Sequence, residues 1–221
     1  MKRLLESGKL SHSSSNDRPE AMNQPSKGER TRQAIIDRAS ELFRVHPYRD
    51  VNAGLIMDTL PQAKATFYRY FESVVDIVGY LIDDFVTTFQ QRDRTWYTAE
   101  SRPEVIQGLR STLDNVCTLG VDKAFCLRVA REAMASDDRA SMIYKKFTDS
   151  VEETLIDNIK RQQDLGIVRA DLDADFVGKS ICALNIDVLI RYFGGNDQGD
   201  PMEASRGLQE VWVATLYGEV K

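Results

Sequence analysis

From Lys27 onward, apolar residues recur three and four apart, and no run of alternating β-branched residues is long enough to make a strand. Helix is therefore the only regular element this chain can build. After residue 26, proline stands only at boundaries: Pro47, Pro61, Pro103 and Pro201. Ile35, Ala39, Leu42 and Phe43 share one face of a first helix over about 27–46. A short helix follows, with Asn52 placed as its N-cap and Leu55, Ile56 and Leu60 apolar. Pro61 ends it, and a third helix spans about 63–71. The fourth, about 73–93, repeats apolar residues at Ile77-Val78, Leu81-Ile82, Phe85-Val86 and Phe89.

Five more helices are expected at roughly 102–118, 121–135, 139–164, 173–193 and 201–217. Their stops are Gly120, Gly166 and the pair Gly194-Gly195. The expectation is an all-α chain of about nine helices. Residues 1–26 include "SHSSSNDRPEAMNQPS", polar and without periodicity, and read as a disordered arm.

Composition narrows the function classes. No apolar run approaches the roughly 18–20 residues that span a bilayer, so no membrane partner is expected. "MKRLLESGKL" offers only Leu4-Leu5 as an apolar stretch, too little for a secretory signal, and the expected compartment is the cytoplasm. Cys117, Cys126 and Cys182 are odd in number and widely spaced, which suits reduced core residues. His12 and His46 are the only histidines. With no Glu-x-x-His pair, phosphate loop, Cys-x-x-Cys or nucleophile elbow, the sequence reads as no enzyme, with no cofactor and no metal.

The net charge of −5 is unevenly spread: residues 27–73 carry +2 and residues 74–221 carry −8. A basic head on an acidic body suits contact with a polyanion at one end. Two short helices joined by a tight break and braced by a longer one have the proportions of a helix-turn-helix. In "ATFYRYF", Phe67 and Phe71 lie four apart and face the core. Lys64, Ala65, Tyr68 and Arg69 then point outward, with Thr66 and Tyr70 flanking them, placed for phosphate oxygens.

The same stretch resembles the TetR family of one-component regulators. The matching residues are Arg32, Ile35-Ile36, Ala39, Leu42-Phe43, Val51, Asn52 and Ile56, then "ATFYRYF", Ser73, Asp76 and Ile77, across about 47 residues. "VWVATLYGE" and "ALNIDVLIRYFGG" are similar, more narrowly, to the ethionamide-resistance-repressor branch. The resemblance implies base contacts at Lys64, Ala65, Tyr68 and Arg69 and phosphate contacts at Thr66 and Tyr70, with Asn52 beside them. It implies a double-stranded, palindromic DNA operator read by a homodimer, and release by a small apolar effector. Three positions depart from the family pattern. Pro61 and Ala63 stand where a turn glycine and a capping Ser or Thr are usual, and Val74 stands where a lysine is usual.

By the same resemblance, a ligand cavity in the body is lined by Tyr144, Thr148, Val151, Asn185 and Trp212. Phe85, Phe89 and Met134 read as core or cavity wall. The segment 181–193 is apolar nearly all round, and 201–217 is one-sided. Both therefore suit a dimer interface, with Leu189, Phe193, Leu208, Val211 and Leu216 as its residues. The expected division is a 1–26 arm, a 27–73 DNA-binding head and a 74–221 effector-binding and dimerisation body. The alternative is a helical small-molecule-binding or interaction protein that has lost specific operator binding, motivated by Pro61, Ala63 and Val74.

Overall fold

The computed structural model describes residues 26–92, 94–195 and 199–218; the arm expected over 1–26 lies outside this range apart from Ser26. The described residues are helical, with no strand among them. α1 (Lys27–Val45) leads through a 3₁₀ turn (Tyr48–Asp50) to α2 (Ala53–Met57) and a 3₁₀ helix (Lys64–Arg69). Then come α3 (Val74–Gln90), α4 (Thr95–Thr98), α5 (Arg102–Ala133), α6 (Asp138–Asp164), α7 (Ala174–Phe193) and α8 (Pro201–Tyr217).

The first helix starts on a capping box. The Ser26 hydroxyl accepts the Glu29 N–H at 3.2 Å, and the Ser26 N–H donates to the Glu29 carboxylate at 2.6 Å. Its inner face buries Ile35, Ile36, Ala39, Leu42 and Phe43. Each such side chain contributes on the order of 1.5–3 kcal/mol, less for alanine. α2 starts at Asn52, whose Oδ1 accepts the N–H groups of Gly54 (2.9 Å) and Leu55 (3.1 Å).

α5 differs from the two helices expected there. It runs unbroken for 32 residues through Gly120. That glycine marks a close approach and not a stop: a Cβ on it would lie 2.8 Å from both Leu189 and Phe193 of α7. An interior glycine costs about 1 kcal/mol of helix propensity, and packing offsets it. α5 is the central rod, touching α1, α3, α4, α6, α7 and α8.

That packing corrects part of the expected dimer interface. Leu189, Phe193, Leu208 and Leu216 are buried within a single chain, at 3% exposure or less, so they have no surface left for a second copy. The cause is α5, against which both α7 and α8 lie. Of the five expected residues, Val211 stays exposed, at 46%.

α4, four residues long and without a periodic signal, was not expected and supplies the plug of the bundle. Trp96 is fully buried, edge-on to Trp212 at 5.2 Å. Its Nε1–H donates to Tyr217 Oη at 2.9 Å, and Tyr217 donates to Gln162 Oε1 at 2.8 Å. The side-chain amides of Asn158 and Gln162 both donate to the Trp96 carbonyl, at 3.3 and 3.1 Å. The buried polar groups of this cluster thus satisfy one another.

This cluster predicts an alkaline limit to stability. Burial pushes the Tyr217 phenol up to about 12, against the opposing hydrogen bond that Trp96 donates to it. Burial also raises Cys126 and Cys182 to about 12. A folded-state value above the unfolded one means stability that is complete below the unfolded pKa and lost as pH climbs toward the folded one. Thermal melts should therefore be flat from pH 7 to about 9 and fall steeply from there to 11. A midpoint unchanged at pH 11 would contradict it.

Candidate nucleic-acid interface and ligand cavity

The 3₁₀ helix Lys64–Arg69 sits on the head through two rings. Phe67 and Phe71 are buried and pack at 5.6 Å between centroids. Arg32 of α1 covers the outer side of Phe71, its guanidinium 5.2 Å from the ring centre. Lys64, Ala65, Tyr68 and Arg69 are exposed, Tyr68 at 59%, while Thr66 and Tyr70 are half-buried beside them. Among the described residues, Lys64 and Arg69 form no ion pair. Two cations free of ion pairs among the described residues and a phenol set edge-on to Phe67 are thus exposed on this short element. Asn52 lies at the edge of the same surface, with its Oδ1 committed to capping α2. Lys64 folds back over Gly54, where a Cβ would lie 3.5 Å from Nζ.

The element is a six-residue 3₁₀ helix and not the nine-residue helix expected. The cause is local. Ala63 occupies the N-cap and has no side chain to satisfy the first N–H groups. Val74 is half-buried against the core and offers no charge.

α3 begins where the head ends. The Asp76 carboxylate accepts the N–H groups of Glu72 (2.6 Å) and Ser73 (3.1 Å) and pairs with Arg139 of α6. Burial acts against the ionised form, but those two amides and Arg139 hold Asp76 below the usual carboxylate range. Further along, α3 becomes a cavity wall. An outer chamber of about 290 Å³ is lined by Phe85, Phe89, Tyr97, Phe147 and Val151, with Arg94, Lys146 and Asp83 toward its rim. The first five also line an inner chamber of about 80 Å³, which adds Thr112, Cys182, Asn185 and Trp212.

Of the expected ligand residues, Val151 reaches both chambers, and Asn185 and Trp212 line the inner one. The Asn185 amide is already in use: its Oδ1 accepts the Trp212 indole N–H at 3.1 Å. Tyr144 and Thr148 line neither chamber, which corrects the expectation for both. Tyr144 faces Arg131 of α5, whose Nε donates to its hydroxyl at 3.5 Å, and Thr148 bonds back to the Lys145 carbonyl at 3.0 Å. Helix geometry is the reason. α6 turns Ile143, Phe147, Ser150, Val151 and Thr154 toward the chambers, and 144 and 148 fall one step round. Phe85 and Phe89 are cavity walls, whereas Met134 is 38% exposed at the end of α5. Tyr97, Thr112 and Phe147 were missed; only Phe147, four residues before Val151, carried a periodic signal.

No protein-family model matches the chain, and no curated protein does. Solved structures do. A bacterial regulatory protein in the TetR family from Rhodococcus RHA1 superposes with a TM-score of 0.68 at 17% identity, over 89% of this chain and 100% of that one. A TetR transcription regulator from Haloarcula marismortui gives 0.66 at 18% identity, over 85% and 98%. A transcriptional regulator from Saccharomonospora viridis, solved in complex with choline, gives 0.65 at 19% identity, over 85% and 97%.

The fold is that of the TetR-family regulators. Within this TetR-type fold, α3 is one continuous helix from the edge of the head to the aromatic cavity. No helix among the described residues is long and apolar enough to cross a membrane.

Proposed function

We propose that this chain is a TetR-type transcriptional repressor that binds a palindromic operator as a homodimer and is released by a small apolar ligand. The observation that carries the reading is α3, whose first turn is fixed to the head and whose later turns wall the cavity. A ligand between Phe85, Phe89 and Phe147 bears on the same rod that orients Lys64, Tyr68 and Arg69. On this reading residues 27–73 are the DNA-binding head, 74–221 the effector and dimer body, and 1–26 an arm. The head reads base edges with Lys64, Tyr68 and Arg69 and positions itself on phosphates through Thr66 and Tyr70. The ligand acts through its differential affinity for the two head spacings. The choline complex of the Saccharomonospora viridis regulator supports a ligand-responsive reading of the fold, without indicating which molecule this cavity takes.

Dimerisation is assigned to the outward faces of α7 and α8, where Leu184 and Val188 remain half-buried and Val211 and Ala214 exposed. A charge placed there would be desolvated without a partner. Val211→Glu should therefore weaken self-association by roughly tenfold or more, about 1.4 kcal/mol. Sedimentation equilibrium measures it, and an unchanged dimer constant would move the interface elsewhere.

The deciding experiment is selection of bound duplexes from a random pool by the purified chain. An enriched palindrome supports the repressor reading. A second reading rests on the uncapped 3₁₀ helix: a ligand-binding protein of this fold without operator binding. No enrichment even at low salt, together with ligand binding in the cavity, would favour it.

A further inference from the structure

The end of α1 poses a hydrogen-bonding problem that the chain does not solve locally. In a continuing helix the Phe43 carbonyl would accept the N–H of residue 47, but that residue is Pro47 and has none. The next amide, that of Tyr48, is turned out of the helix into the 3₁₀ turn. Both orphaned groups are satisfied by one pair on α5. Arg128 Nη2 donates to the Phe43 carbonyl, and Glu132 Oε2 accepts the Tyr48 N–H at 2.7 Å.

The same guanidinium does more. Its Nε donates to the Gly194 carbonyl, the C-cap of α7, at 2.5 Å, and its Nη1 holds Glu132 Oε1 at 2.8 Å. Two helices thus present the negative ends of their dipoles to one half-buried cation. The planar fork of an arginine can meet three acceptors in fixed directions, which a lysine cannot. Three residues earlier on α5, the Phe125 ring carries the Arg44 guanidinium at 4.5 Å, adding a second contact to the same last turn of α1.

We infer that Arg128, with Glu132, is a specificity-determining positioning residue: it fixes the angle of the head on α5 and α7 and so sets the half-site spacing the dimer accepts. It touches no DNA. The spacing half of this inference rests on the dimeric operator-binding function proposed above; the orientation half does not. Loss of the pair frees the α1 end to tilt, while the reading surface itself stays intact. Successive phosphates on a strand advance only about 3.4 Å along the helix axis, so even a small tilt brings a different spacer into register.

The test uses Arg128→Met, Arg128→Lys and Glu132→Gln in the full chain. Spin labels are attached at Asp58→Cys in the head and Glu153→Cys in the body, both exposed positions, and diluted with unlabelled chain. The native cysteines are buried and stay unlabelled. The wild type should give one narrow intrachain distance, broadened or displaced in Arg128→Met and less so in the other two. Duplex selection should return the wild-type half-site letters in Arg128→Met, with the wild-type spacer depleted about tenfold against other spacers. Wild-type distances in all three variants, or altered half-site letters with an unchanged spacer, would overturn the inference. Should Arg128→Met fail to fold, the two conservative variants carry the same readouts. If the wild type enriches no operator, the DNA reading fails and the label distances alone decide the orienting role.

Discussion

Arg69→Ala is expected to remove most of the operator affinity while leaving the fold intact. Arg69 is exposed, forms no ion pair among the described residues and stands beside Tyr68 on the outer side of a helix anchored by Phe67 and Phe71. An arginine contact to a guanine edge discriminates by roughly 1–3 kcal/mol. The proposed dimer would make the contact twice, so the loss at a palindrome is expected to be about 2–6 kcal/mol, or roughly 30-fold to 10⁴-fold. Non-specific binding should fall much less, because it depends on total phosphate neutralisation. Fluorescence anisotropy on the selected duplex and on a scrambled one, at a single salt concentration, separates the two. Equal losses on both duplexes would reduce Arg69 to a phosphate contact, and no loss on either would remove it from the interface.

The second large effect is on stability. Trp96→Ala deletes the plug that touches Trp212 and Tyr97, and with it the donor to Tyr217. Truncating a buried tryptophan costs about 3–5 kcal/mol. That is a large part of the 5–15 kcal/mol typical of a folded domain. Trp96→Phe keeps a ring against Trp212 but leaves Tyr217 Oη without its donor, for about 1–3 kcal/mol. Urea denaturation should therefore rank wild type above Phe above Ala. If alanine equals phenylalanine, packing at this position matters less than the hydrogen bonds.

Tyr97 lines both chambers and packs against Trp96 at 4.8 Å, so the same substitution links stability to the cavity. It should loosen the outer chamber even where the chain stays folded.

How much of this was legible in the sequence varies with the kind of interaction. The helices of the head could be read because their signals are local: Asn52 at an N-cap, and Phe67 and Phe71 four apart; the expected stop at Pro61 came too late, since α2 ends at Met57. The exposed set Lys64, Ala65, Tyr68 and Arg69 followed from the same periodicity once two rings were assigned inward. Even the shortness of that helix had a local cause in Ala63, although its 3₁₀ form did not follow from it.

Other features depended on neighbours distant in sequence. Gly120 carries the same residue type as a helix stop, and only Leu189 and Phe193 across the interface make it a contact point. Leu189, Phe193, Leu208 and Leu216 are as apolar as any interface residue. Only the position of α5 decides that a single chain buries them. On α6, a rotation of about 100° per residue separates Val151, which meets the cavity, from Thr148, which does not. Sequence alone determined that the chain is helical, where its first helices begin, and which residues of the head face outward. The tertiary structure decided which apolar faces meet each other, which enclose a cavity, and that Arg128 completes the end of α1. Propensity and capping act within a few residues, whereas burial is settled only when the whole chain has packed.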